Sequence, residues 1–159
     1  MNHLELPGPS PYGNQLRPEA VRDACRELGI SDPVRIEWFP LEVPPGIAGD
    51  HRGVRDDDVG SYHVIRLSVW DNPETVSGTL WHELEHARQN EAIGYGTYNR
   101  AYTFGNEIAG YDDNPFERQA RECEQLHQGA ALTNGSKFDP TVPDAAWKSM
   151  RDLIAKGEV

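Results

Sequence analysis

Apolar residues recur along the chain in blocks of two periods, one helical and one extended. Val21, Ala24, Cys25 and Leu28 fall on one face of the segment that Pro18 opens and Gly29 closes, which predicts a helix. In "PVRIEWF" (33–39), Val34, Ile36 and Trp38 alternate with Arg35, Glu37 and Phe39, the pattern of a half-buried strand. "SYHVIRLSVW" (61–70) is the clearest strand, rich in Tyr62, Val64, Ile65, Leu67 and Val69. Asp71-Asn72-Pro73-Glu74 then signals a helix start: an Asx cap, Pro at the first position and an acid in the first turn. That helix is expected to run from Pro73 to about Ala92, burying Val76, Leu80, Leu84 and Ala87. Asn114-Pro115 opens another, reaching about Gln128, with Phe116, Ala120, Cys123 and His127 as its apolar stripe.

Between these blocks the periodicity lapses. Residues 1–16 read as an irregular arm, followed by a single domain over 17–159. Segment 40–60, rich in Pro, Gly and Asp, reads as a long loop with at most a short strand at its end. Segment 95–113 is aromatic and Gly-rich, with a short helix around 101–109. A last helix is expected over 143–157, with Trp147, Met150 and Ile154 on one face.

The chain has 159 residues, 37% of them hydrophobic, enough for a folded domain. Its net charge of −11, with basic residues scattered singly, argues against nucleic acid and against anionic membrane as partners. The absence of a signal-like N-terminus and of a long apolar run points to a cytoplasmic protein. Cys25 and Cys123 read as two buried thiols rather than a disulfide or a Cys-rich metal module. Oligomeric state is left open by this pattern.

One stretch of the second predicted helix carries chemistry. In "LWHELEHARQ", His82 and His86 are four residues apart, so both project from one helix face within reach of a single ion. Glu83 lies about 100° round from His82, able to hold a water without being a ligand. Zinc suits paired imidazoles with an open position for water, and Glu83 is then the candidate general base. Glu85, at a variable position of the motif, reads as solvated. His3, His51 and His63 have no ligand spacing, and His63 reads as a histidine at the rim of the core. Asp56-Asp57-Asp58 lacks the spacing of a calcium loop and reads as a turn.

The strand "SYHVIRLSV", the helix start "DNPETV" and "LWHELEHARQ" together resemble the edge strand and active-site helix of zincin metallopeptidases. Gln89 and Ala92 stand where metzincins have Gly and a third His, so the chain resembles the gluzincins instead. In these the third ligand is a Glu on a later helix. The best match is "NPFERQARE", where Glu117-x-x-Ala120 resembles the E-x-x-A-D element of small minigluzincin peptidases and repressor-cleaving peptidases of mobile elements. Arg121 departs from that element, standing where many relatives have Asp. The resemblance spans about residues 61–128.

It implies an α+β, zincin-like domain with a small mixed sheet, an active-site helix and a following ligand-bearing helix. It also implies a zinc-dependent endopeptidase acting on a protein or peptide, in a phage or bacterial setting. His82, His86 and Glu117 would be the metal ligands, with Glu124 and Glu107 in reserve. Glu117 also suits a capping box, reaching back to the Asn114 N–H. Zincins supply a Tyr, His or Arg to the developing oxyanion, and Tyr98, Tyr102, Tyr111 and His127 qualify by type. The strand 61–69 would pair with extended substrate, with segments 40–60 and 95–111 as walls or lid. The alternative is a zinc-stabilised interaction module without hydrolysis. Glu83 separates the two, because a purely structural site needs no base and closes with a fourth protein ligand.

Overall fold

In the computed structural model, which describes residues 3–10, 13–40, 42–44 and 46–134, a four-stranded mixed sheet packs against helices. The elements run β1 (Leu4–Glu5), β2 (Gln15–Leu16), α1 (Pro18–Glu27), β3 (Val34–Trp38), β4 (Gly49–Asp56), β5 (Gly60–Leu67), α2 (Pro73–Ile93), α3 (Tyr95–Ala109), α4 (Pro115–Leu126) and β6 (Thr133–Asn134). The sheet order is β1-β3-β5-β4, and β2 pairs with β6 separately. β3 is parallel to β1 and to β5, whereas β4 and β5 form an antiparallel hairpin. This is an α+β architecture. The expected helix over 143–157 lies outside the described residues.

The core forms where the predicted apolar faces meet. Val34, Ile36, Ile65 and Leu67 of the sheet face Val21, Ala24 and Cys25 of α1 and Val76, Leu80, Leu84 and Ala87 of α2. Burial pushes the thiols of Cys25 and Cys123 up to about 11 and about 12, so neither ionises near neutral pH.

α2 begins where the sequence says it does. The Asn72 side chain accepts the Thr75 N–H at 2.8 Å, Pro73 sits in the first turn, and Gly94 at φ +90° ends the helix. The described part of the N-terminal arm, residues 3–10 and 13–16, is more structured than its composition suggests. β1 adds to the sheet, β2 pairs with β6, and the Trp38 indole donates to the Gly8 carbonyl at 2.8 Å.

Two segments depart from expectation. Segment 40–60 contains the eight-residue strand β4, paired with β5 along its whole length. Its partly exposed position at the sheet margin lets it carry Asp50, Arg52, Arg55 and Asp56, which erases the hydrophobic alternation that marks an inner strand. The acidic run is its turn: the Asp56 carboxylate accepts the N–H groups of Asp58 and Val59, and Gly60 takes φ +86°. Consequently β5 is an inner strand with both edges paired, and it cannot add a substrate strand; β4 is an outer one. In the second departure, α3 spans Tyr95–Ala109, longer than the short helix expected at 101–109.

Candidate metal centre

Two glycines bring β4 down onto α2. A Cβ on Gly49 would lie 2.7 Å from Thr79 Cγ2, and one on Gly53 would lie 2.6 Å from the Tyr95 ring and 2.8 Å from Asn90 Oδ1. Only glycine permits that approach. The strand residue between them, His51, is thereby held beside α2, its ring centroid 6.5 Å from that of His86.

On α2, His82 and His86 stand one turn apart with ring centroids 5.0 Å apart. Glu117 arrives from the first turn of α4. Its Oε2 lies 2.9 Å from His82 Nε2 and its Oε1 lies 3.1 Å from His86 Nε2. One donor atom from each of the three falls within 4.8 Å of the others, so His82, His86 and Glu117 can hold a metal ion. Two imidazole nitrogens and a carboxylate oxygen form a donor set that zinc takes. A tetrahedral ion with bonds of about 2 Å needs donors about 3.3 Å apart, and each imidazole Nε2 lies within a few tenths of an ångström of that from a Glu117 oxygen.

The Asn114 side chain caps α4 by accepting the Phe116 N–H at 3.0 Å. Glu117 does not close a capping box. The Asn114 N–H goes to the Tyr111 carbonyl, and the Glu117 carboxylate goes to the histidines and to Tyr102, whose hydroxyl donates to it at 2.7 Å. Burial raises the Glu117 pKa, but hydrogen bonds from His82 and His86, the His86 charge and the Tyr102 hydroxyl outweigh it and hold the carboxyl well below the usual range. Burial also works against a charged His86, yet Glu117 and Glu83 prevail and raise its pKa.

The far side of each imidazole is held as well. His82 Nδ1 meets Glu124 Oε1 at 3.2 Å, and His86 Nδ1 meets Gln89 Oε1 at 2.9 Å and the Tyr98 hydroxyl at 3.0 Å. Acceptors at Nδ1 fix the ring orientation and leave Nε2 for an ion. Glu124 therefore touches His82 from behind. Glu107 is exposed on α3 and Glu122 is exposed on α4. Glu85, expected to be solvated, is buried and grips Arg88 through a two-pronged ion pair, because that side of α2 is covered. The Arg121 guanidinium donates to the Asp112 carbonyl.

A cavity of about 450 Å³ opens beside two of the three donors, His86 and Glu117. Glu83, His86 and Glu117 line it together with Asp50 and His51 of β4, Tyr98 and Tyr102 of α3, and Tyr111. Glu83 is 7% exposed, and burial pushes its carboxyl up to about 7 against the opposing pull of His86 and His82. Burial and the neighbouring Glu117 raise the hydroxyls of Tyr102 and Tyr111, keeping them protonated donors. His127 is not among the lining residues. It stacks on Trp81 with ring centroids 3.8 Å apart, donates from Nδ1 to the Cys123 carbonyl and meets Glu27, on another side of α2.

Sequence reasoning passed over a second cluster. His63, read as a rim residue, is fully buried. Its Nε2 lies 2.7 Å from Glu91 Oε2 and 3.0 Å from the Tyr95 hydroxyl, and its Nδ1 lies 2.9 Å from His51 Nε2. Asp32, His63 and Glu91 are also close enough to hold an ion. Burial lowers the pKa of both His51 and His63, favouring neutral rings. The signal was the shared β4–β5 hairpin, in which His63 pairs with Gly53 and His51 with Ile65. No family model, curated protein or solved structure matches this chain.

Proposed function

We propose that the chain is a zinc-dependent endopeptidase of the gluzincin type, with a zincin-like fold. The observation that carries this reading is the convergence of His82, His86 and Glu117 on one point, with His86 and Glu117 lining a cavity that also receives Glu83. His82, His86 and Glu117 would hold the zinc ion, which when bound would supply the Lewis acidity that acidifies a water and polarises a carbonyl. Glu83 takes the water's proton at its carboxylate and passes it to the amine nitrogen as the C–N bond breaks. Its desolvated carboxyl, pushed up to about 7, suits both halves of that transfer at neutral pH. Tyr102 and Tyr111 line the same cavity; the single proton of Tyr102 is given to Glu117, so Tyr102 would have to turn away from Glu117, or Tyr111 serve in its place, to meet negative charge on the carbonyl oxygen.

β4, rather than β5, takes the role of substrate strand. It is one of the sheet's two outer strands, the other being β1, and its residues Gly49, Asp50 and His51 line the cavity, so an extended peptide can pair with its edge. A purely structural zinc site would close with a fourth protein ligand. Among the described residues this metal group has three members, and Glu83, the nearest further carboxylate in sequence, is not one of them. The reading is tested by incubating the zinc-loaded protein with a random peptide library and following cleavage by mass spectrometry. Cleavage that requires zinc and is abolished in Glu83→Gln supports it; no cleavage by fully loaded wild-type protein overturns it.

A further inference from the structure

The cluster behind β4 is a closed set of hydrogen bonds with one loose end, and that end is in the cavity. Glu91 Oε1 accepts the Ser31 N–H at 2.8 Å and the Ser31 hydroxyl at 2.7 Å, while Oε2 accepts the Asp32 N–H at 3.2 Å and meets His63 at 2.7 Å. The Tyr95 hydroxyl donates to Asp32 Oδ2 at 2.8 Å, so toward His63 Nε2 it offers only its lone pair. Both groups facing His63 Nε2 are therefore acceptors, and that nitrogen carries the proton. In a neutral ring Nδ1 is then an acceptor, and its partner at 2.9 Å, His51 Nε2, must be the donor. The same step repeats in His51: with the proton on Nε2, Nδ1 is left with a lone pair. The hydrogen bond of the His51 ring to a described residue is the one from Nε2 to His63, and Nδ1 is left to the cavity that His51 lines beside Glu83 and His86. Every donor and acceptor of Glu91 and His63 is thus engaged, so an ion among Asp32, His63 and Glu91 would have to displace the His63 proton and break these bonds.

We propose that His51 is a substrate-binding residue whose unprotonated Nδ1 accepts an N–H of the peptide lying along β4, and that His63 and Glu91 are positioning residues that set its tautomer. The proposal rests on the peptidase reading. It gives His51 a role opposite to that of an oxyanion donor: an acceptor-only ring selects an N–H and repels a carbonyl oxygen. The glycines on either side serve the same end, since Gly49 and Gly53 let β4 descend far enough for His51 to meet both His63 and the cavity.

The test has an arm that needs no turnover. Long-range nitrogen–proton NMR of the zinc-loaded protein, labelled with ¹⁵N-histidine, reads the tautomer of each ring. Both His51 and His63 are expected as neutral Nε2–H tautomers; a proton on Nδ1 of His51 overturns the proposal. Zinc analysis is expected to find one ion per chain, lost in Glu117→Ala, and a second ion retained by that variant also overturns it. For the kinetic arm, peptides cleaved from the random library are resynthesised and assayed singly. His51→Phe and His63→Phe are expected to raise KM about tenfold, the loss of one net hydrogen bond, with kcat and zinc content little changed. His51→Gln, which restores an acceptor, is expected to recover most of the loss. Unchanged KM in a folded, zinc-loaded His51→Phe overturns the assignment. If wild-type protein cleaves nothing, the peptidase reading fails, and the NMR arm decides the tautomer independently.

Discussion

Glu117 Oε2 and His82 Nε2 lie 2.9 Å apart although 35 residues separate them, so the first turn of α4 and the middle of α2 meet at one point. Both groups are largely buried, His82 keeping 14% of its side-chain surface and Glu117 5%. Burying a carboxylate against imidazoles carries a desolvation cost, which a metal ion shared among them would offset.

Glu117→Ala is expected to weaken zinc binding more than about 100-fold, exceeding what the loss of a supporting hydrogen bond to a ligand produces. As a helix-start residue alone, Glu117 would be worth only about 1 kcal/mol of stability. Competition with a fluorescent chelator measures the affinity, and unchanged affinity would remove Glu117 from the ligand set.

Glu83→Gln keeps the shape of the cavity wall and removes the base. Zinc content is expected to be unchanged while peptide hydrolysis falls by at least about 100-fold. Parallel metal analysis and peptide assays on one preparation check this, and activity near the wild-type level would eliminate Glu83 as the base.

Zinc is expected to stabilise the folded chain. At free zinc of about 100 times Kd the gain is about 2.7 kcal/mol, visible as a rise in Tm of several degrees that a chelator reverses. Calorimetric scans with and without chelator make the comparison, and the Glu117→Ala variant should lose most of the difference.

Gly53→Ala inserts a methyl group 2.6 Å from the Tyr95 ring and 2.8 Å from Asn90 Oδ1. Overpacking of this kind is expected to cost about 1–3 kcal/mol and to lift β4 from α2. Chemical denaturation gives the first number. A shift of the His51 ring resonances would report the second, whereas wild-type stability would mean that the strand accommodates the methyl freely.

The second predicted helix was legible because its signals are local. The Asn72 cap, Pro73 and the stripe Val76, Leu80, Leu84, Ala87 act within a few residues of chain, and the placement of His82, Glu83 and His86 follows from helical spacing alone. β4 was not legible. A marginal strand carrying Asp50, Arg52 and two glycines has no alternation to read, and it exists because β5 offers an edge to pair with.

Glu85 and His63 show the same divide for single residues. Polar side chains are assigned to solvent by default, but Glu85 is covered and satisfied by Arg88, and His63 by Glu91, His51 and Tyr95. Burial of such groups depends on partners brought from other segments.

The sequence by itself determined the helix that carries the H-E-x-x-H, its start, its buried face and the chemical class of its donors. Tertiary structure alone decided that Glu117 meets the histidines instead of capping its own helix, that β4 is an outer strand, and that His51 reaches the cavity. Caps and periodicity are settled by interactions one or two turns apart, whereas a shared ion or a hydrogen-bond chain requires atoms from distant segments to converge within about 3 Å, which only the packed register of strands and helices sets.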